Sequence, residues 1–320
     1  MIKSEGTSTE EIDANIPEAQ VVGVAGGHAG NNGSGNVVVP VGGTAEVMVG
    51  GFAALEGRER FVVKQHFQAA EAAAQQLGCG CFEQANKFDV FDADTGEMII
   101  FVEEESGLCC RLCCSPNHEA KLHFKDVRYG VPADSFIMHA DKPFKLNCCA
   151  CFDICRHEVK VQDSNGTFFS HAKVPLFGGG LSPQMEIMTR EGEVHTTTRG
   201  PTCCLGGLIE LCTNIEFNLF MDAEQNNVVG KIVKKKPSDF QGALREAASD
   251  ADTYMLEMPK GITADQAASI IATTVLLDYL YFEDGAPITF NLLNQSCTVN
   301  FCNCYCLGCT CPCSCTYGDD

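Results

Sequence analysis

From Lys87 onward, apolar and polar side chains alternate in short runs separated by stretches rich in Asp, Asn and Gly. The segments KFDVFDADTGEMIIFVEE (87–104), HEVKVQDSNGTFFSHAKV (157–174), QMEIMTREGEVHTTT (184–198) and NIEFNLFMDAEQNNVVGKIV (214–233) share this design. A period of two puts successive side chains on opposite faces of a strand, and a polar turn between two such runs signals a hairpin. The pattern predicts an antiparallel β-meander in which one face of each strand is buried against something other than water.

Residues 264–282 are the candidate for that something. Thr263 followed by Gln266 has the spacing of a capping box, and Asp265 adds favourable charge to the first turn, so a helix is expected from Ala264. Apolar residues then occupy every face, with Ile271, Val275 and Leu276 at the centre and Asp278 near the end. A helix apolar all round lies in a core or in a membrane. Only eleven residues, Ala267 to Leu277, run without a charge or amide, whereas a span needs about twenty. Length and charge favour a core helix wrapped by the strands; a single-pass membrane protein crossing through 264–282 is the alternative.

Two further stretches stand apart from the meander. VVKQHFQAAEAAAQQLG (62–78) consists largely of helix formers and ends at a glycine suited to a C-cap, so it predicts a helix. Residues 1 to about 50 are Gly-, Val-, Ser- and Asn-rich with scattered acids and no period, which reads as a disordered tail. The organisation expected is a disordered tail over 1–54, a β-domain over 55–285, and a Cys-rich tail over 286–320.

Charge narrows the class. With 22 basic against 42 acidic side chains the formal net charge is -20. Phosphate backbones need a basic face, so no nucleic-acid partner is expected. The N-terminal residues show no apolar signal segment and no Gly at position 2, so the chain is expected to stay in the cytosol. Disulfides are rare there, and the 21 Cys are expected as acyl anchors, metal ligands or hydrophobes. Cys110 and Cys113, within Cys109–Cys114, have C-x-x-C spacing, as do Cys148 and Cys151, which suits a structural Zn²⁺. Cys302, Cys304, Cys306, Cys309, Cys311, Cys313 and Cys315 form a C-x-C series suited to soft metals or to acyl chains. No P-loop, H-E-x-x-H, dinucleotide fingerprint or nucleophile-base pair is visible, so no enzyme is expected.

Five stretches, in order, resemble the phospholipid scramblase family: HFQAAEAAAQQLGCGCFEQANKFDVFDADTGEMIIFVEEESGLCCRLCCSP (66–116), LNCCACFDICRHEVKVQDSNG (146–166), VVGKIVKK (228–235), LREAASDADTYMLEMP (244–259) and VLLDYLYFED (275–284). The similarity runs over roughly 55 to 285. It implies a mainly β, tubby-like fold: an antiparallel barrel of about twelve strands enclosing a hydrophobic C-terminal helix. It implies calcium-dependent, ATP-independent movement of phospholipids between leaflets; the alternative is a lipid-anchored membrane-binding module without transport. Phospholipid membranes and their anionic lipids are the implied partners, at the cytosolic face of the plasma membrane. By the same resemblance Asp250 and Asp252 are expected to hold Ca²⁺, with Gly261 standing where the family tends to have an acid. Cys148, Cys149, Cys151 and Cys155 are expected to be palmitoylated. Lys231, Lys234, Lys235 and Lys236 match a segment linked in the family to nuclear import, and contact with anionic headgroups explains a basic run equally well.

Overall fold

In a barrel every strand has two neighbours, so inward side chains must recur at every second position on all of them. Phe88 and Val90, Leu122 and Phe124, Val159 and Val161, and Tyr254 and Leu256 are such buried pairs. They belong to strands of a computed structural model that describes residues 51–66, 85–107, 117–132, 135–146, 148–202, 205–222, 224–237, 252–282, 288–291 and 295–318. The strands are β1 (Arg60–Gln65), β2 (Lys87–Asp92), β3 (Met98–Glu105), β4 (Ala120–Asp126), β5 (Phe136–Lys142) and β6 (Glu158–Asp163). They continue with β7 (Phe168–Lys173), β8 (Gln184–Thr189), β9 (Val194–Arg199), β10 (Ile215–Phe220), β11 (Gly230–Lys234) and β12 (Thr253–Glu257). Each pairs antiparallel with the next, and β1 closes on β12 through Arg60↔Glu257 and Val62↔Met255 to form a twelve-stranded barrel. All four hairpins read from the alternation are present.

The connections are unequal. β2–β3, β4–β5, β6–β7, β8–β9 and β10–β11 are joined by short turns, such as Asp163–Gly166, where Asp163 Oδ1 accepts the amides of Asn165 and Thr167. Residues 66–86, 106–119, 143–157, 174–183, 200–214 and 235–252 make the other six connections. In an antiparallel meander alternate connections share an end, so all six longer ones emerge from one mouth of the barrel. One of them carries the short helix α1 (Leu208–Cys212).

The helix α2 (Ala264–Tyr281) fills the barrel. Its capping box forms as expected, with the Gln266 side chain accepting the Thr263 amide at 3.2 Å. Every residue from Ala267 to Tyr279 is buried, including Ile271, Val275, Leu276 and Asp278. Each large apolar side chain so enclosed contributes about 1.5–3 kcal/mol. Ser269, Thr273 and Thr274 satisfy their hydroxyls on carbonyls one turn back. Among the described residues no helix is long and apolar enough to cross a membrane. The single-pass alternative is therefore corrected: the apolar stretch is the core of the barrel.

Three other expectations change. Val62–Gln65, expected to open a helix, lie in β1, because pairing with β12 on one side and β2 on the other outweighs local helix preference. The rest of that stretch from residue 67, like residues 1–50, lies outside the described residues. Gly51–Ala54, assigned above to the tail, form a 3-10 turn that buries Ala54 in the core. The Cys-rich segment folds as a three-stranded antiparallel sheet of β13 (Ile288–Asn291), β14 (Ser296–Cys306) and β15 (Cys309–Tyr317). It docks on the barrel through a Leu205↔Asn303 bridge and through Tyr305, whose hydroxyl donates to the Gly178 carbonyl at 2.6 Å.

Candidate functional site

The mouth with the long connections gathers the chain's unusual chemistry. Strand alternation turns Lys234, at the end of β11, and Asp252, just before β12, into the barrel, where α2 delivers Asp278. The Lys234 ammonium sits 2.6 Å from Asp252 Oδ2, pairs with Glu210 of α1, and lies 4.1 Å from the centroid of the Phe282 ring. The Tyr254 hydroxyl is 2.6 Å from Asp278 Oδ1 and 3.2 Å from Asp252 Oδ2; it has one proton, and the shorter contact takes it.

Two buried carboxyls thus pair with one ammonium, and a third, Asp278, lies behind Tyr254, so that carboxylates outnumber the cation and raise one another. Burial, and next the charge of Asp252, push Asp278 well above the carboxylate range. Burial raises Glu210 to about 7, with Lys234 opposing. Burial would discharge Lys234, but Asp252 and Glu210 outweigh it and hold the lysine charged above its ordinary range.

A second cluster fixes the next residue of the helix. Tyr279 donates its hydroxyl to Glu104 Oε2 at 2.7 Å, and Glu104 also receives the Asn86 amide at 2.8 Å, Ser106, and His118 Nε2 at 3.0 Å. Burial pushes Glu104 up, but these donors together outweigh it and leave its pKa at about 2. Lys142 donates to the His118 carbonyl at 2.6 Å and lies 4.9 Å from the Tyr279 ring centroid. The two clusters lock the end of α2 to β3, β11, β12 and α1.

Outside the mouth lies an apolar rim. Phe152, Ile154, Leu176, Phe177 and Leu181 are each more than half exposed, on the 143–157 and 174–183 connections. These connections are tied together where Phe177 donates its amide to the Ala150 carbonyl at 2.9 Å. Phe177 and Gly178 to Gly180 all have positive φ, and the three glycines, lacking a Cβ, let this connection double back. Neighbouring cations are already engaged: Lys145 with Glu158 at 2.8 Å, and Lys173 with Asp153 and Glu158.

The expected site residues fare differently. Cys148 and Cys155 form a disulfide, their Cα atoms 5.6 Å apart where Leu146 donates to the Ile154 carbonyl and folds the connection back. That departs from the expectation that all four cysteines of this cluster carry acyl chains. Cys149 is exposed and Cys151 partly so, their sulfurs 2.9 Å apart on the rim. Asp252, expected as a Ca²⁺ ligand, is the counter-ion of Lys234, while Asp250 lies outside the described residues, as do Cys109 to Cys114 with Cys110 and Cys113. The basic run splits: Lys234 is buried, whereas Lys236 is exposed, Lys235 is half-buried, and Lys231 faces Glu257 at 3.6 Å. Cys302, Cys304 and Cys313 bring their sulfurs within 4.8 Å of one another on the C-terminal sheet, a grouping able to hold a metal ion.

Sequence reasoning missed Glu210, Glu104, His118 and the pairing of Lys234. A signal existed for two of the buried ions. Counting by twos from the apolar Ile232 and Tyr254 places Lys234 and Asp252 on the inner face.

A closed meander barrel threaded by one apolar helix, with an exposed apolar rim and cysteines at one mouth, defines a barrel-and-helix domain with its chemistry at a single end. The chain belongs to the scramblase family: the Scramblase family model matches residues 44–284. It is 25% identical to mouse phospholipid scramblase 1 over 202 residues, 63% of this chain and 56% of the relative. Human phospholipid scramblase 2 is 25% identical over 205 residues, 63% of this chain and 62% of the relative. Human phospholipid scramblase 4 is 24% identical over 226 residues, 70% of this chain and 61% of the relative. The chain thus spans less than two thirds of the length of these relatives. No solved structure matches it.

Proposed function

We propose that the protein works on phospholipid membranes as its relatives are named for, moving phospholipids between leaflets without ATP. It would seat the apolar rim in the headgroup region and be held there by acyl chains on Cys149 and Cys151. The observation that carries this reading is the rim: large apolar side chains exposed beside an exposed and a partly exposed cysteine, at one mouth of a barrel whose own apolar helix is enclosed. Acylation contributes about 0.8 kcal/mol per buried CH₂, and two chains suffice for stable anchoring. The calcium response belongs to the proposal through oxygens other than those of Asp252, which Lys234 already neutralises.

A second reading, an anchored membrane-binding module that moves no lipid, is favoured by the sheathed helix, which is buried from Ala267 to Tyr279. Vesicles bearing a fluorescent lipid in one leaflet separate the two. Calcium-dependent loss of asymmetry with wild-type protein, abolished in F152D/L181D and unaffected by omitting ATP, supports transport. Co-sedimentation without that loss supports the module, and absence of binding to vesicles of either neutral or anionic composition refutes both. In cells, C149S/C151S is expected to leave the membrane fraction; full retention would count against the acyl anchor.

A further inference from the structure

In β14 and β15 the pairs Cys302↔Cys313, Cys304↔Cys311 and Cys306↔Cys309 face each other directly across an antiparallel ladder. Directly opposed residues project to the same side, and positions two apart share a face, so these six cysteines line one face of the hairpin. The intervening Asn303 and Tyr305 lie on the other face, which is the one docked on the barrel: Tyr305 is buried there with its hydroxyl on the Gly178 carbonyl. The cysteine face therefore points away from the barrel, and most of its cysteines are exposed.

Within this ladder the sulfurs of Cys302, Cys304 and Cys313 already converge to within 4.8 Å, with Cys304 and Cys313 3.3 Å apart. Sulfurs held at about 2.3 Å by one tetrahedral ion lie about 3.8 Å from each other. Little rearrangement separates the observed grouping from a ligand set. Cys311, the cross-strand partner of Cys304, supplies a fourth sulfur from the same face. From Ala286 to Asp320 there is no Lys or Arg to compensate thiolates, in a chain of net charge -20. A bound cation offsets part of the charge that ligating thiolates carry.

We propose that Cys302, Cys304, Cys311 and Cys313 form a thiolate site for one soft d¹⁰ cation, Zn²⁺ or Cu⁺, that staples the C-terminal hairpin. Thiolates select such ions over Mg²⁺ or Ca²⁺. Each ligating thiol gives its proton to solvent on binding, so affinity rises with pH. A two-stranded ribbon is marginal by itself, and an ion gripping both strands opposes its fraying. The site is independent of lipid transport and stands whether or not the protein moves phospholipid.

The test uses the full chain, reduced and freed of metal under anaerobic conditions. Titration with Cd²⁺, read by its ultraviolet thiolate charge-transfer band, and then with Zn²⁺ and Cu⁺, read by elemental analysis, should show metal bound. C302S/C304S/C313S should lose one equivalent, while C212S, an exposed cysteine on α1, should lose none. Because other cysteines can contribute to the total, peptide-resolved alkylation of the wild-type protein provides a variant-free readout. Metal should protect Cys302, Cys304, Cys311 and Cys313 from iodoacetamide. Failure of that protection, an unchanged stoichiometry in a folded triple variant, or recovery of these cysteines from cells as thioesters or disulfides would overturn the assignment.

Discussion

Replacing Lys234 with Met keeps most of the side-chain volume and removes the ammonium that holds Asp252 and Glu210 inside the barrel. At the observed 2.6 Å, the attraction to Asp252 alone amounts to about 6 kcal/mol before desolvation is counted, at an effective dielectric constant of about 20. Much of that is offset by the cost of burying both charges, and breaking such a pair costs about 3–5 kcal/mol net because the partner is left uncompensated. A domain is stable by only about 5–15 kcal/mol, so K234M should shift the urea midpoint far toward zero. The loss has a pH signature. Without the lysine, the main opposition to the burial that already raises Glu210 to about 7 is gone, so its protonated form is tolerated at low pH and stability is lost as pH rises. The deficit should be larger at pH 8 than at pH 5. K234M/D252N should recover part of the loss, because the amide leaves no bare charge. A loss under about 1 kcal/mol, or one equal at pH 5 and pH 8, would refute the reasoning.

Glu104 makes the opposite acid prediction: its folded pKa of about 2 lies below the ordinary 4.5, so it contributes about 3 kcal/mol above pH 4.5 that drains away as pH falls toward 2. Acid unfolding followed by far-ultraviolet circular dichroism should be shallower in E104Q. Leu276→Ala, in the fully enclosed part of α2, should cost about 2–5 kcal/mol in chemical unfolding; a cost near zero would contradict the enclosed helix. Gly308, at φ +95°, has room for no side chain, since a Cβ there would come within 2.6 Å of the Ala150 Cβ. G308A should speed hydrogen exchange in β14 and β15 while exchange in the barrel strands stays slow.

Local pattern carried the fold where local chemistry and tertiary role agree. The four hairpins and the helix were legible because a period of two, a polar turn and a capping box act over a few residues. β1 was read as helix because its fate is set by β12, which no local window contains. At the candidate site, Asp278 was visible only as an interruption in an apolar run. What it interrupts the run for, a hydrogen bond to Tyr254, depends on which strands surround the helix. The cysteines were conspicuous one by one, but their sorting into a disulfide, a rim pair and a ladder follows from where distant connections meet.

The seam between β1 and β12 also constrains how the chain reaches its native state. Arg60 must find Glu257, nearly two hundred residues further along, and α2 follows only after that strand. Until the helix is available, the inward faces of all twelve barrel strands have no filling and remain open to the wrong partners. Such non-local pairing folds slowly and leaves sticky intermediates at risk of aggregation. A truncation that stops short of Ala264 should therefore yield a chain that associates with itself or with chaperones rather than a smaller working barrel. On this reasoning α2 serves as the template on which the barrel strands synthesised before it close.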